Sequence, residues 1–130
     1  MKVLVVDDSR IIRDRLVNLL SMIKGVETVA QAENAQKAIE AYQTIKPEVL
    51  ILDIRMRGAN GIEVLKHVKR DRDASKVIML TNFPYPQYEK KCFEEGADYF
   101  LDKSKGFDEL NGIIKSLVKE SGFISKSNSE

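Results

Sequence analysis

The run VLILD, Val49 to Asp53, decides the fold. Four apolar residues in succession leave no polar face, so the segment reads as a strand covered on both sides, the pattern of a parallel sheet. It stops on a carboxylate. Working outward, Ala35 to Ile45 upstream has helical spacing and is closed by Lys46-Pro47, because the residue before a proline is driven out of the helical region. Downstream, Asn60-Gly61 signals a turn, and Ile62 to Arg70 reads as a helix with Ile62, Leu65 and Val68 inward.

The same grammar recurs on both sides. Lys2 to Val6 (KVLVV) is a short apolar strand ending at Asp7. Ser9 to Met22 follows as a helix that turns Ile12, Leu16, Leu19, Leu20 and Ile23 to one side, with Ser9 as N-cap and Gly25 as stop. Val26 to Ala32 is the second strand. Val77 to Leu80 (VIML) is the fourth, ending at Thr81. Phe83-Pro84-Tyr85-Pro86 is assigned to loop, since two close prolines remove backbone donors. Gln87 to Glu95 is a short helix stopped by Gly96, Asp98 to Leu101 the fifth strand, and Phe107 to Ser121 the last helix. Residues 1–121 are expected to form one domain and residues 122–130 a polar C-terminal tail.

Five strand–helix units of this kind predict an α/β fold, a doubly wound parallel five-stranded sheet with helices on both faces. The strand order 2-1-3-4-5, flavodoxin-like (βα)5, is assigned by analogy. Such open sheets bind ligands beyond the carboxyl ends of their strands.

Composition narrows the class. Of 130 residues, 43% are hydrophobic and 32% charged, an ordinary globular balance. The 21 basic and 20 acidic side chains nearly cancel, which argues against a direct nucleic-acid surface. No apolar stretch approaches the roughly 20 residues that cross a bilayer, and the opening MKVLVVDDSR is too short in apolar residues for a secretion signal. Cys92 is the only cysteine, so there is neither an internal disulfide nor a cysteine-rich metal site. A cytoplasmic location is expected.

The strand ends gather the chemistry. Asp7 and Asp8 follow the first strand, Asp53 the third, Thr81 the fourth and Lys103 the fifth. Singly, each has a plain structural reading. The aspartates suit a helix N-terminus or a loop, Thr81 can bond its own backbone at the strand's end, and Lys103 can be solvated. Together they put three carboxylates, a hydroxyl and an ammonium on one edge. Like charges about 5 Å apart repel by about 3 kcal/mol per pair at an effective dielectric of 20. A divalent cation offsets more of that than Lys103 alone, and all-oxygen ligands favour Mg²⁺ or Mn²⁺ over Zn²⁺. His67 and Cys92 read as a surface side chain and a packing residue, and Tyr85 and Tyr88 as exposed aromatics.

The set VVDDS (Val5 to Ser9), LILDIRM (Leu50 to Met56), Gly61, MLT (Met79 to Thr81) and GADYFLDK (Gly96 to Lys103) resembles the receiver domain of bacterial two-component response regulators. The resemblance runs from Lys2 to about Ser121. It implies that Asp53 is the phosphoacceptor and that Asp8 and, through water, Asp7 hold Mg²⁺ (or Mn²⁺) with Asp53 and the backbone carbonyl of Arg55. Lys103 would hold a phosphoryl oxygen, Thr81 would move to bond another, and Phe100 would be the aromatic that turns with it. The implied donor is a sensor histidine kinase or histidine phosphotransfer protein. The implied output is a downstream protein target bound through the face of the fourth helix, fifth strand and fifth helix; a phosphorylation-dependent dimer stays open, as does whether the chain stands alone or belongs to a longer regulator.

Three positions depart from the family pattern. Arg57 replaces the usual proline four residues after the acceptor, Ser104 the cis-proline after the lysine, and Asn82 the small residue after the threonine. A trans bond is expected at Ser104, because a non-proline cis bond costs about 3 kcal/mol. The alternatives are a relay intermediate passing phosphate on, a Mg²⁺-dependent phosphatase using Asp53 as nucleophile, and a flavin or nucleotide binder. The phosphatase lacks its general acid, since Arg55 cannot serve as one at neutral pH. The nucleotide binder lacks a glycine-rich loop after the first strand.

Overall fold

The computed structural model describes residues 1–71 and 75–122; apart from Gly122, the expected polar tail lies outside the described residues. The elements are β1 (Lys2–Val6), α1 (Arg10–Ser21), β2 (Thr28–Ala32), α2 (Ala35–Ile45) and β3 (Val49–Leu52). A small hairpin follows, β4 (Arg55–Met56) and β5 (Ala59–Asn60). Then come α3 (Gly61–Val68), β6 (Lys76–Thr81), α4 (Pro86–Glu94), β7 (Tyr99–Asp102) and α5 (Gly106–Ser121). The five main strands form one sheet in the order β2-β1-β3-β6-β7, every neighbouring pair parallel. That is the predicted order 2-1-3-4-5 with the hairpin interposed.

Alternation within the apolar strands divides the core in two. Leu4, Val6, Leu50, Leu52, Val77 and Met79 pack with α2, α3 and α4 through Ala38, Tyr42, Leu65, Val68 and Cys92. Their sequence neighbours Val3, Val5, Val49, Ile51, Ile78 and Leu80 pack with Leu16 and Leu20 of α1 and with Leu110, Ile114 and Val118 of α5. Each such side chain taken fully from water contributes about 1.5–3 kcal/mol, so both faces of the sheet are committed to helices. Only the strand ends remain for chemistry.

Side chains cap the first three helices, Ser9 among them as expected. Ser9 Oγ accepts from Ile12 N–H, Asn34 Oδ1 from Lys37 N–H and Asn60 Oδ1 from Ile62 N–H. Several boundaries differ from expectation by one or two residues. Pro86 opens α4 rather than closing the preceding loop, since a proline in a first turn sacrifices only a donor that has no helical partner. Thr81 is the last residue of β6 rather than the one after it, β2 begins at Thr28, and α3 ends at Val68. Two-residue strands carry no periodicity, which is why the hairpin was not foreseen.

Candidate functional site

Register brings the strand ends level. Val6 pairs with Leu52, Leu52 with Met79, and Thr81 with Asp102, so the residues that follow share one rim. The pairing continues one step past β3, where Asp53 N–H donates to Val6 O at 3.0 Å.

Asp7, Asp53, Thr81 and Lys103 are all buried, and Asp8 is half-buried. The Lys103 ammonium donates to Asp7 Oδ2 at 2.7 Å and to Asp53 Oδ2 at 3.1 Å. The other Asp7 oxygen accepts from Ser9 N–H at 2.9 Å, and Asp8 Oδ2 accepts from Arg57 N–H at 3.1 Å. Oxygens of Asp7, Asp8 and Asp53 all lie within 4.8 Å of one another. Two of the three carboxylates therefore share one buried ammonium, with Asp8 alongside. Their hard oxygens and close spacing fit a divalent cation of the Mg²⁺ type.

The electrostatics follow from that deficit. Burial lifts Asp53 from 3.8 to about 6, and the Asp7 charge pushes the same way while Lys103 pulls back. Burial works against the charge on Lys103, but its bonds to Asp7 and Asp53 outweigh that and hold its pKa above the ordinary value.

Gly61 is why Asp53 can sit where it does. The start of α3 presses on the backbone of Asp53 and Ile54, with Gly61 N–H donating to Ile54 O at 2.6 Å. A Cβ on residue 61 would lie 1.8 Å from Asp53 O, so no side chain fits.

Thr81 Oγ1 accepts from Phe83 N–H at 2.9 Å, and Thr81 O accepts from Lys103 N–H at 2.8 Å. The plain reading of Thr81, a side chain turned onto nearby backbone, thus describes this arrangement. Phe100 is half-buried against the core, its ring 6.5 Å from that of Phe93. Arg55 is exposed. Its guanidinium lies 4.2 Å from the Phe83 ring and donates to Tyr88 Oη at 2.9 Å, tying the segment after Asp53 to the loop before α4 and to α4 itself. Each exposed cation–π contact is worth about 0.5–1 kcal/mol. Sequence reading placed Arg55 by its carbonyl alone; the neighbouring aromatics Phe83, Tyr85 and Tyr88 were the available signal for its side chain.

The departures now have local accounts. The peptide bond at Ser104 is trans, as are all others among the described residues, and Ser104 donates from both N–H and Oγ to Asp102 Oδ1. Asn82 is exposed. His67 stacks edge-on to Tyr42 at 6.5 Å. Cys92 is fully buried, which pushes its thiol up to about 11 and removes it as a nucleophile.

The fold, its rim of aspartates and its lysine define a class, and comparison with known proteins identifies it. The family model for the response regulator receiver domain matches residues 3–115, and the chain belongs to that family. Among curated relatives, the transcriptional regulatory protein LnrK of Bacillus subtilis is 33% identical over 118 residues, covering 91% of this chain and 52% of that protein. The response regulator GacA of Pseudomonas aeruginosa is 27% identical over 125 residues, covering 96% and 58%. The chain thus spans about half the length of the curated relatives it matches. Among solved structures, the signal receiver domain of a DNA-binding response regulator from Colwellia psychrerythraea superposes with a TM-score of 0.86 at 25% identity, covering 92% of this chain and 98% of that one. The response regulator domain of Thermotoga maritima CheB gives 0.79 at 26% identity, with 96% and 98% covered. No helix among the described residues is long and apolar enough to cross a membrane.

Proposed function

We propose that Asp53 accepts a phosphoryl group from the phosphohistidine of a sensor histidine kinase or histidine phosphotransfer protein, in the cytoplasm, and that the modified chain binds a protein target through the face of α4, β7 and α5. The observation that carries this reading is the buried Asp53 carboxylate, 3.1 Å from the Lys103 ammonium and within 4.8 Å of Asp7 and Asp8 oxygens.

In the transfer, an Asp53 oxygen attacks phosphorus, an O–P bond forms as the N–P bond breaks, and the imidazole leaves with the electron pair and takes up a proton. Asp7, Asp8, Asp53 and the Arg55 carbonyl would hold Mg²⁺, which when bound neutralises phosphoryl oxygens. Lys103 already faces the acceptor and supplies a fixed positive charge to a second oxygen without reorganisation. Asp7 orients that ammonium through its 2.7 Å bond. Thr81 is the residue that brings a hydroxyl proton to a third oxygen, and Phe100 turns with it. The added charge then biases the loop between β6 and α4, which is how a local modification gains a distant readout.

The test is intact-mass analysis after incubation with Mg²⁺ and acetyl phosphate. One phosphoryl adduct is expected, absent without metal and absent in Asp53→Asn. An adduct of equal stoichiometry in Asp53→Asn would overturn the acceptor assignment.

A further inference from the structure

The hairpin after the acceptor carries a contact on which Asp8 depends. β4 and β5 pair Arg55 with Asn60 and Met56 with Ala59, so Arg57 and Gly58 make the whole turn. Gly58 has φ +68°, while Arg57 is not among the residues of positive φ. That is the sign pattern of a type II turn, which requires φ above zero only at its second central residue. The amide of the first central residue takes no part in such a turn's own hydrogen bond. Here the Arg57 N–H donates instead to Asp8 Oδ2, at 3.1 Å, across 49 positions of sequence.

Asp8 needs that donor. It is half-buried beside two like charges, and the Lys103 ammonium is already engaged by Asp7 and Asp53. An aspartate repelled by its neighbours and free about its side-chain bonds swings toward water. A fixed main-chain N–H holds it at the rim.

We propose that the main-chain N–H of Arg57 is a positioning donor that fixes the Asp8 carboxylate for a hard divalent cation. The inference rests on the metal reading given above. It also gives the departure at this position a meaning. Proline at residue 57 suits the first central position of a type II turn and follows Met56, which is already extended, but it has no N–H to offer. A receiver with proline there leaves this carboxylate without the bond, and this chain supplies it.

Because proline fits the turn, the bond can be deleted almost alone. The experiment is titration of the full chain with Mn²⁺, followed by electron paramagnetic resonance, in wild type, Arg57→Pro and Arg57→Ala. Arg57→Ala keeps the N–H and removes only the charged side chain. Its affinity is expected to stay within about twofold of wild type, whereas Arg57→Pro should bind about tenfold more weakly, the usual cost of losing a group that orients a metal ligand. The urea midpoints of the two variants should agree, separating this role from a merely structural one. Should proline unfold the chain, an ester in place of the amide at the same link deletes the N–H without the ring. Equal Mn²⁺ affinity in the proline (or ester) and alanine variants would overturn the positioning role alone. Failure of the wild type to take up Mn²⁺ at millimolar concentration would overturn the metal centre and this role with it.

Discussion

At the edge where the strands begin, Asp98 accepts from Lys69 Nζ at 2.9 Å and from Val77 N–H at 2.8 Å, with Lys76 3.8 Å from its other oxygen. The terminal ammonium of Met1 meets Gly25 O and Glu27, and buried Ser75 donates to Pro47 O. At the edge where the strands end, one ammonium serves Asp7 and Asp53 with Asp8 alongside. At the first edge Asp98 and Glu27 each meet a cation, while the second edge is left with surplus negative charge. Both are shaped by the same strands, so the difference lies in the residues placed there. A closed network fastens α3 to the sheet; an open one keeps attraction in reserve for something that arrives.

The sharpest way to break that contrast is Lys103→Ala. Removing the shared cation leaves two buried carboxylates unpaired, and a loss of about 3–5 kcal/mol is expected in chelator at pH 7, read by urea denaturation. A loss under about 1 kcal/mol would mean that the deficit is not held by this lysine.

Asp53→Asn should act in the opposite direction. Burial and the Asp7 charge raise Asp53 from 3.8 to about 6, so between those values the native state binds more protons than the unfolded chain. Stability contributed by this group therefore falls as pH rises through that window. The asparagine variant escapes the penalty. In chelator it should be more stable than wild type by about 2–3 kcal/mol above pH 7, with the gain vanishing near pH 4. Mg²⁺ should narrow the gap by stabilising the wild type.

The smallest effect belongs to the closed edge. Lys69→Ala leaves Asp98 its bond from Val77 N–H and the more distant Lys76, and the pair is partly exposed. About 1–2 kcal/mol should be lost, equally with and without Mg²⁺. A Mg²⁺-dependent loss would show that the two edges are not independent.

Which of these features the sequence disclosed follows from how local they are. A carboxylate at the end of an apolar run is visible in a few residues, so Asp7, Asp53 and the strand order could be read directly or by analogy. Lys103 needed only its place after a fifth strand. The Arg57–Asp8 bond was hidden because its donor is a main-chain group that every residue but proline possesses, and its partner is far away in sequence. The guanidinium of Arg55 was hidden for a related reason, since only the folded chain brings Phe83 and Tyr88 beneath it. Thr81 is the instructive middle case: its plain contact with Phe83 N–H and its proposed role involve the same hydroxyl.

The pressure of Gly61 on the Asp53 backbone has a mechanical consequence. The α3 start is wedged against Asp53 O, so the main chain of Asp53 is the closely packed member of the site. The β6–α4 loop is fastened by one hydrogen bond to Thr81 Oγ1 and by the Arg55 side chain. The tighter packing therefore lies on the α3 side of the rim and the looser fastening on the α4 side.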